Sequence, residues 1–151
     1  QPVKLSEGLE LVVGFTGQSV QSSSVIVQLE AFKQRVPGQY MALMDELENA
    51  TQVFIQALQS CDQKNVFEAC QAINVLFRRL EDESGILCMT DKLERLIRLA
   101  GAYGIGTKQS GAAGGDCGIA FCSQPSLADR LKEDWRKNGI MPLDVGVAVK
   151  R

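Results

Sequence analysis

A segment that is almost free of side chains lies between two apolar stretches of the chain and is the feature best suited to chemistry. It reads Lys108-Gln109-Ser110-Gly111-Ala112-Ala113-Gly114-Gly115-Asp116-Cys117-Gly118. Glycine lets a backbone bend tightly and turn its N–H groups toward an anion without obstruction by Cβ atoms. The segment matches neither the Walker A loop nor the G-x-G-x-x-G fingerprint of dinucleotide sites. It predicts a backbone anion site, and a glycine-rich hairpin loop without a ligand is the alternative.

The composition of the chain limits which groups could support catalysis. The 151 residues include no His, which excludes a His general base, a Ser/His or Cys/His nucleophile and most zinc sites. Backbone amides, Lys, Arg, carboxylates and hydroxyls remain, and these are the groups that handle phosphate. With 16 Lys and Arg against 18 Asp and Glu, the chain lacks the basic surface of a nucleic-acid-binding protein. We expect no nucleic-acid partner and no membrane partner, since no apolar run approaches the roughly 18 residues of a membrane span.

Five cysteines occur without any C-x-x-C pair, at Cys61, Cys70, Cys88, Cys117 and Cys122. Their number is odd, and most of them stand in apolar surroundings in the sequence. Free cysteine is among the most buried residue types, and disulfides are rare in the cytosol. We therefore expect reduced, buried thiols in a cytoplasmic protein.

The N-terminal part of the chain carries a second candidate for anion binding. Residues 9–15 predict a short strand that enters a turn at Thr16-Gly17. The apolar residues that define one face of the next helix are Val25, Leu29, Phe32 and Val36. Ser22, Ser23 and Ser24 open this helix, and Pro37 ends it. The serine hydroxyls either cap the helix or, together with its free N–H groups, form an anion site.

Apolar residues three and four positions apart predict three further helices before residue 105. Their repeated positions are Tyr40, Met44, Leu47, Thr51, Phe54 and Leu58, then Val66, Cys70, Ile73, Phe77 and Leu80, then Leu93, Leu96, Ile97 and Ala100. Residues 81–85 are expected to end the second of these helices and to form a loop. Thr90-Asp91 is expected to begin the third.

The C-terminal part predicts two short strands, at residues 105–109 and 117–122, joined by the glycine-rich segment. Ser126-Leu127-Ala128-Asp129 fits a variant of the capping box at the start of a helix that Asn138-Gly139 ends. The alternation from Asp144 to Lys150 predicts a final strand. Strands this far apart in sequence, with helices gathered on one face, indicate an α+β sandwich with a mostly antiparallel sheet.

Two motifs together resemble those of a known enzyme family. Residues 108–120 are similar to the third, C-terminal motif of the GHMP small-molecule kinases, in the Ser-Gly-Ala-Gly-Gly-Gly-Asp-Cys-Gly form of the phosphomevalonate kinases. Val13-Gly14-Phe15-Thr16-Gly17, followed by the serine cluster, resembles that subfamily's Val-Gly-Trp-Thr-Gly and its Ser/Thr cluster. The resemblance extends over residues 9–149. The chain departs from the pattern at Phe15, Gln109 and Ala113, where the family has Trp, Pro and Gly.

The resemblance implies the ferredoxin-like fold of GHMP kinase C-terminal domains, with about four strands packed against helices and a single domain over residues 1–151. The chain begins with Gln1 rather than Met, and the family's serine-rich second motif is missing from it. We therefore expect the C-terminal half of a longer kinase that is inactive alone. Its N-terminal domain would bind ATP.

The resemblance also implies a reaction, in which the γ-phosphoryl group of ATP passes to 5-phosphomevalonate and gives 5-diphosphomevalonate in the mevalonate pathway. The implied partners are 5-phosphomevalonate, ATP and the chain's own N-terminal domain, and Mg²⁺ is held mainly by that domain. No catalytic residue and no metal ligand is assigned to this chain. The residues expected to bind phosphate or substrate are Ser22, Ser23, Lys108, Ser110, Gly111, Ala112, Ala113, Gly114, Gly115 and Asp116.

Two other functions stay open at this point. One is another GHMP kinase, such as a mevalonate or homoserine kinase, against which Asp116-Cys117-Gly118 argues. The other is a non-catalytic α+β ligand-binding module. The role of Asp116 is open as well. Its carboxylate orients the loop, faces the water shell of a metal ion, or accepts an Asx-type hydrogen bond from nearby backbone.

Overall fold

A computed structural model describes residues 8–18, 22–60, 62–111 and 114–146. These residues form one antiparallel sheet and five helices. The strands are β1 (Glu10–Phe15), β2 (Gly106–Ser110), β3 (Cys117–Cys122) and β4 (Met141–Leu143). The helices are α1 (Ser22–Arg35), α2 (Pro37–Ser60), α3 (Gln63–Ser84), α4 (Asp91–Gly101) and α5 (Pro125–Lys137). The strand order across the sheet is β2-β3-β1-β4, with antiparallel pairing throughout. The α+β class and the four-stranded sheet are confirmed.

Pro37 separates α1 from α2, as the sequence predicted. Proline disfavours a helical conformation in the residue before it and clashes with a preceding helical turn, so α1 stops at Arg35. Pro37 then serves as the first residue of α2, where its missing N–H is not needed. None of the helices in the four described ranges is both long enough and apolar enough to cross a membrane.

The third helix is longer than the sequence suggested. The Asp62 carboxylate caps its start by accepting the backbone N–H groups of Lys64 and Asn65 at 2.9 and 3.3 Å. The helix then continues through the acidic residues 81–84, which were expected to be a helix end and loop, and stops only at Gly85. The positive φ of Gly85, +78°, lets its N–H close the last turn on the Glu81 carbonyl oxygen.

The starts of α4 and α5 test two capping predictions with opposite outcomes. Thr90 caps α4, and its side chain accepts the Leu93 N–H at 3.3 Å, so that prediction is confirmed. The capping box at Ser126 is wrong, because α5 begins at Pro125 and is preceded by Gln124, whose side chain makes no capping hydrogen bond. Proline at the first helical position fixes a helical φ, and this sets the start.

The last strand lies earlier than the alternation of residues 144–150 suggested. Ile140 is buried directly after α5, and the chain then pairs at once with Val13–Phe15 through Met141–Leu143. Residues 144–146 belong to no strand, and residues 147–150 lie outside the described residues. Pro142 is tolerated because β4 is an edge strand.

Helices pack against both faces of the sheet, so the expectation that they gather on one face is wrong. Alternate residues of a strand point to opposite faces, and both sets are apolar in β3. Ala120 and Cys122 belong to a core with α4 and α5, whereas Ile119 and Phe121 pack with the end of α2 and the start of α3. The sheet is therefore covered by a helical layer on each side.

One edge of the sheet is covered by α3. The Asn74 side chain donates its Nδ2–H to the Thr107 carbonyl oxygen of β2 at 2.8 Å. The helix also approaches Gly106 so closely that a Cβ there would lie 3.0 Å from the backbone of Val66 and Phe67. The Asn74 hydrogen bond satisfies one carbonyl oxygen of this edge strand, and covering the strand protects its edge. It also gives the β2–β3 hairpin a fixed base from which its loop projects.

Candidate functional site

The glycine-rich segment forms the loop of the β2–β3 hairpin, as the sequence predicted. Ser110 and Cys117 are the last pair of the two strands, and the loop spans residues 111–116 between them. Gly111 and Gly114 have φ values of +81° and +72°, a conformation that other residues rarely adopt. Ala112 and Ala113 lie outside the described residues.

Hydrogen bonds from two directions fix the C-terminal part of this loop. Thr16, which is buried at the end of β1, donates its backbone N–H and its hydroxyl to the Asp116 carbonyl oxygen at 2.7 and 3.0 Å. The Gly114 N–H donates to the Cys88 carbonyl oxygen at 3.0 Å. Because Cys88 precedes the N-cap of α4 by two residues, the loop is tied to both β1 and α4.

The same pattern leaves part of the loop backbone available. Within residues 8–18, 22–60, 62–111 and 114–146, the N–H groups of Gly115 and Asp116 donate to no acceptor. The Asp116 carboxylate accepts no hydrogen bond there either, so the Asx-type bond is not seen. Gly114 differs, since its N–H is used to position the loop. Two adjacent unpaired N–H groups on a partly exposed loop can bind an anionic oxygen.

A lysine that the sequence motifs did not reveal lies beside Gly17, in the turn after β1. Lys92 is in the first turn of α4, two residues after the N-cap residue Thr90. Its Nζ lies 3.8 Å from the position that a Cβ on Gly17 would occupy, next to the turn that holds Asp116. Within the described residues it forms no ion pair. The helix dipole disfavours a cation in the first turn of a helix. A lysine directly after the predicted start of α4 is therefore a sequence signal that could have drawn attention to Lys92.

The serine cluster stands near the turn after β1. Gln18 donates its N–H to the Thr16 hydroxyl oxygen at 3.3 Å, and α1 begins at Ser22. A chain of four residues places the Cα atom of Ser22 within about 15 Å of that of Gln18. Ser23 is exposed, and the side chain of Ser22 lies outside the described residues, as do residues 19–21, where a cap for α1 would stand.

Lys108 leaves the hairpin on the side of α2 and α3. Its Nζ donates to the Gln109 carbonyl oxygen at 2.7 Å and lies 5.8 Å from the centroid of the Phe54 ring. Burial lowers the pKa of Lys108, an effect that the nearby Cys70 opposes. The expectation that Lys108 adds positive potential at the phosphates of the loop stays a prediction. Lys108 and Gly111 both line one cavity.

Thiols near the loop are kept neutral by their surroundings. Burial raises the pKa of Cys88 to about 12, and the Glu81 charge adds to this. Burial also raises the pKa of Cys117, with a smaller contribution from Asp116. A neutral thiol is a poor nucleophile. The described cysteines are free, with Cys70, Cys88 and Cys122 buried and Cys117 half-buried, and Cys61 lies outside the described residues.

This geometry agrees with a comparison at the level of protein families. The model of the GHMP kinases C-terminal family matches residues 54–140. This range begins in the second half of α2, includes the whole loop and ends just before β4. The chain belongs to this family. The resemblance seen in the two sequence motifs is thereby confirmed.

Relatives of this GHMP domain include phosphomevalonate kinases. A phosphomevalonate kinase of Streptomyces sp. is 30% identical over 146 residues, which are 95% of this chain and 39% of the relative. The Lin0012 protein of Listeria innocua superposes with a TM-score of 0.84 at 31% identity, covering 92% of this chain and 39% of that one. Streptococcus pneumoniae phosphomevalonate kinase superposes with a TM-score of 0.73 at 25% identity, covering 95% and 41%. The same enzyme in complex with phosphomevalonate and AMPPNP gives 0.76 at 24% identity, covering 95% and 40%.

One motif position of the GHMP domain has an unusual environment. Gln109 stands where the family commonly has proline, and it is fully buried opposite Gly118. Neither its side-chain Nε2 nor its Oε1 has a hydrogen-bond partner within the described ranges. A buried unpaired amide is costly, and nothing in the structure explains why the chain carries it here.

Proposed function

We propose that this chain is the C-terminal domain of an ATP-dependent phosphomevalonate kinase, which transfers the γ-phosphoryl group of ATP to 5-phosphomevalonate and gives 5-diphosphomevalonate. The observation that carries the proposal is the glycine loop, in which the N–H groups of Gly115 and Asp116 have no acceptor among the described residues. The loop is hydrogen-bonded to Cys88, which precedes α4, and to Thr16, whose neighbour Gly17 lies close to Lys92. The Streptomyces relative supports the substrate. The Streptococcus enzyme in complex with phosphomevalonate and AMPPNP supports a nucleoside triphosphate as the donor.

The acceptor in this reaction is a phosphate oxygen that already carries negative charge, so no strong general base is needed. The difficulty is that two polyanions must approach each other in line. The N–H groups of Gly115 and Asp116 donate to phosphate oxygens, and Lys92 adds a full positive charge. The N-terminus of α4 contributes a partial positive charge at the same place. Together these groups reduce the repulsion and hold the anion in position, as suits a chain without His.

Ser22 and Ser23 complete the proposed site. Hydroxyls and free N–H groups at a helix N-terminus can bind a carboxylate or a phosphate, and α1 begins four residues after Gln18. Ser110, at the end of β2, and Gly111 lead into the loop and are included in the proposed site, as are Ala112 and Ala113. Lys108, whose ammonium lies over Phe54, would add positive potential near the loop.

We further propose that the chain's own N-terminal domain binds ATP. The chain spans 39% of the length of its Streptomyces relative, so most of that enzyme lies outside the matched region. Within the described residues, no group of three Asp, Glu or Cys side chains could hold a metal ion. We therefore assign Mg²⁺ to the nucleotide and the N-terminal domain, where it would neutralise phosphate charge. A cytoplasmic location fits the free thiols and is proposed on that ground.

Calorimetry with two ligands tests the substrate on the chain itself. We expect 5-phosphomevalonate to bind at least about ten-fold more tightly than mevalonate, because only the former has a phosphate for charge-assisted hydrogen bonds. Equal affinity for the two ligands, or no binding of either, would count against the phosphate site.

Phosphoryl transfer requires both domains and is tested in a fusion of this chain to the N-terminal part of the Streptomyces enzyme. The chain alone is expected to transfer nothing, whereas the fusion should convert 5-phosphomevalonate to 5-diphosphomevalonate with ATP. A folded fusion that phosphorylates mevalonate or homoserine in preference would support a different GHMP kinase.

A further inference from the structure

A cavity of about 380 Å³ opens between α2, α3 and the start of the glycine loop, on the opposite side of the hairpin from α4. Its walls are mostly apolar and come from Leu47, Phe54, Ile73 and Phe77. Small-molecule sites have this character, with volumes of about 300–1,000 Å³, apolar walls and a few placed polar groups. The polar side chains in its lining are those of Lys108, Glu48 and Thr51.

Lys108 has an environment that an ordinary surface lysine does not have. Its Nζ uses one hydrogen bond on the Gln109 carbonyl oxygen and lies over the Phe54 ring. An ammonium has three donors, and no carboxylate within the described residues forms an ion pair with it. Burial also lowers its pKa, because apolar surroundings disfavour the charged form of the ammonium, and the nearby Cys70 opposes this effect.

We propose that this cavity binds a small organic anion with an aliphatic tail, its carboxylate on Lys108 and its tail between α2 and α3. A single negative charge is favoured over a dianion, because Glu48 also lines the cavity. The occupant would touch Gly111 and so contact the first residue of the loop. This site goes beyond the proposed kinase function and does not depend on it.

The proposal is tested on the 151-residue chain by NMR titration with hexanoate, 1-hexanol and hexylammonium. We expect hexanoate to bind at least about ten-fold more tightly than 1-hexanol, as a charge-assisted hydrogen bond would give, and hexylammonium more weakly than either. Shifts should be confined to Phe54, Ile73, Phe77 and Gly111. Equal binding of hexanoate and 1-hexanol, shifts elsewhere in the chain, or no binding of hexanoate would overturn the proposal.

Variants separate the charge of Lys108 from the shape of the cavity. Lys108→Met should reduce hexanoate affinity about ten-fold while leaving 1-hexanol binding unchanged, and Lys108→Arg should retain hexanoate binding. Thr51→Trp, at an exposed position of the lining, should block both probes. Glu48→Gln is the matched control and should leave hexanoate binding unchanged or stronger. Hexanoate binding that survives both Lys108→Met and Thr51→Trp would place the site elsewhere and refute the assignment.

Discussion

The glycines within the strands and the glycines of the hairpin loop serve opposite purposes. A Cβ built on Gly118 would lie 2.4 Å from Cδ2 and 3.0 Å from Cδ1 of Leu96, because β3 packs tightly on α4. Gly111 has nothing within 4 Å of its Cβ position, but its φ is +81°. Glycine is required at position 118 because the neighbouring Leu96 leaves no space for a Cβ atom. It is required at position 111 because the backbone there has a positive φ. The strand glycine anchors the hairpin on the core, and the loop glycine shapes the part that is exposed to a ligand.

Gly118→Ala should have the largest effect on stability. The new methyl group would collide with Leu96, which is fully buried beside Trp135 and cannot move freely. Overpacking of this kind lowers the free energy of unfolding by about 1–3 kcal/mol. Urea denaturation would measure the loss. A variant as stable as the original chain would show that β3 and α4 are less tightly packed than the structure indicates.

A double variant identifies Leu96 as the cause of that loss. In Leu96→Ala/Gly118→Ala the added methyl group occupies space that the leucine has vacated, so the cost of the double variant should be less than the sum of the two single ones. Strict additivity of the two unfolding free energies would rule out a direct clash.

The thiol of Cys88, below the loop, predicts a dependence on alkaline pH. In the unfolded chain a cysteine ionises near its ordinary pKa of 9.0, whereas burial holds the folded pKa at about 12. A raised folded pKa stabilises the protein below pH 9, and this stabilisation is lost as the pH rises from about 9 to about 12. The Cys88→Ala variant lacks this ionisable thiol, so its free energy of unfolding should fall less steeply between about pH 9 and about pH 12. Denaturation at several pH values measures the difference. Parallel pH profiles would contradict the burial of this thiol.

Gly111→Ala should destabilise the chain less than Gly118→Ala. Space is available, so the cost is that of the left-handed conformation, about 1 kcal/mol. Gly111→Asn should cost less still, because Asn tolerates this conformation. Urea denaturation of both variants checks the order. If Gly111→Ala proved as costly as Gly118→Ala, the distinction between the two kinds of glycine would fail.

Lys92→Gln should have the smallest effect on stability, within about 0.5 kcal/mol, because Lys92 forms no ion pair within the described residues. It should nevertheless weaken binding of 5-phosphomevalonate several-fold in calorimetry, since it removes a positive charge beside the loop. Lys137→Gln, at an exposed pair with Glu133 on α5, is the control. Equal loss of affinity in both variants would indicate only a general effect of net charge.

The sequence predicted elements whose signals are local. Apolar spacing located the helices, Pro37 marked the end of the first one, and the run of glycines located the hairpin loop. What it missed depends on partners distant in the chain. The last strand is placed by pairing with Val13–Phe15 rather than by its own alternation, and the second helical layer follows from both faces of β3 being apolar.

The candidate site shows the same division. The glycine loop and its Asp116 were evident in the sequence, because the residues that form a backbone anion site follow one another in the chain. Lys92 was not, because only the packing of α4 beside the turn after β1 brings it close to Gly17. The hydrogen bond from the Gly114 N–H to the Cys88 carbonyl oxygen could not be predicted either, since residues 88 and 114 are 26 positions apart in the chain.

Amide NMR of the ¹⁵N-labelled chain, titrated with 5-phosphomevalonate, tests the central claim most directly. If the loop backbone binds an anionic oxygen, the amide protons of Gly115 and Asp116 should move downfield as they become hydrogen-bonded, while that of Gly114, already bonded to Cys88, should move little. Saturable binding that leaves the Gly115 and Asp116 amides unchanged would show that the phosphate is held elsewhere and would contradict the account.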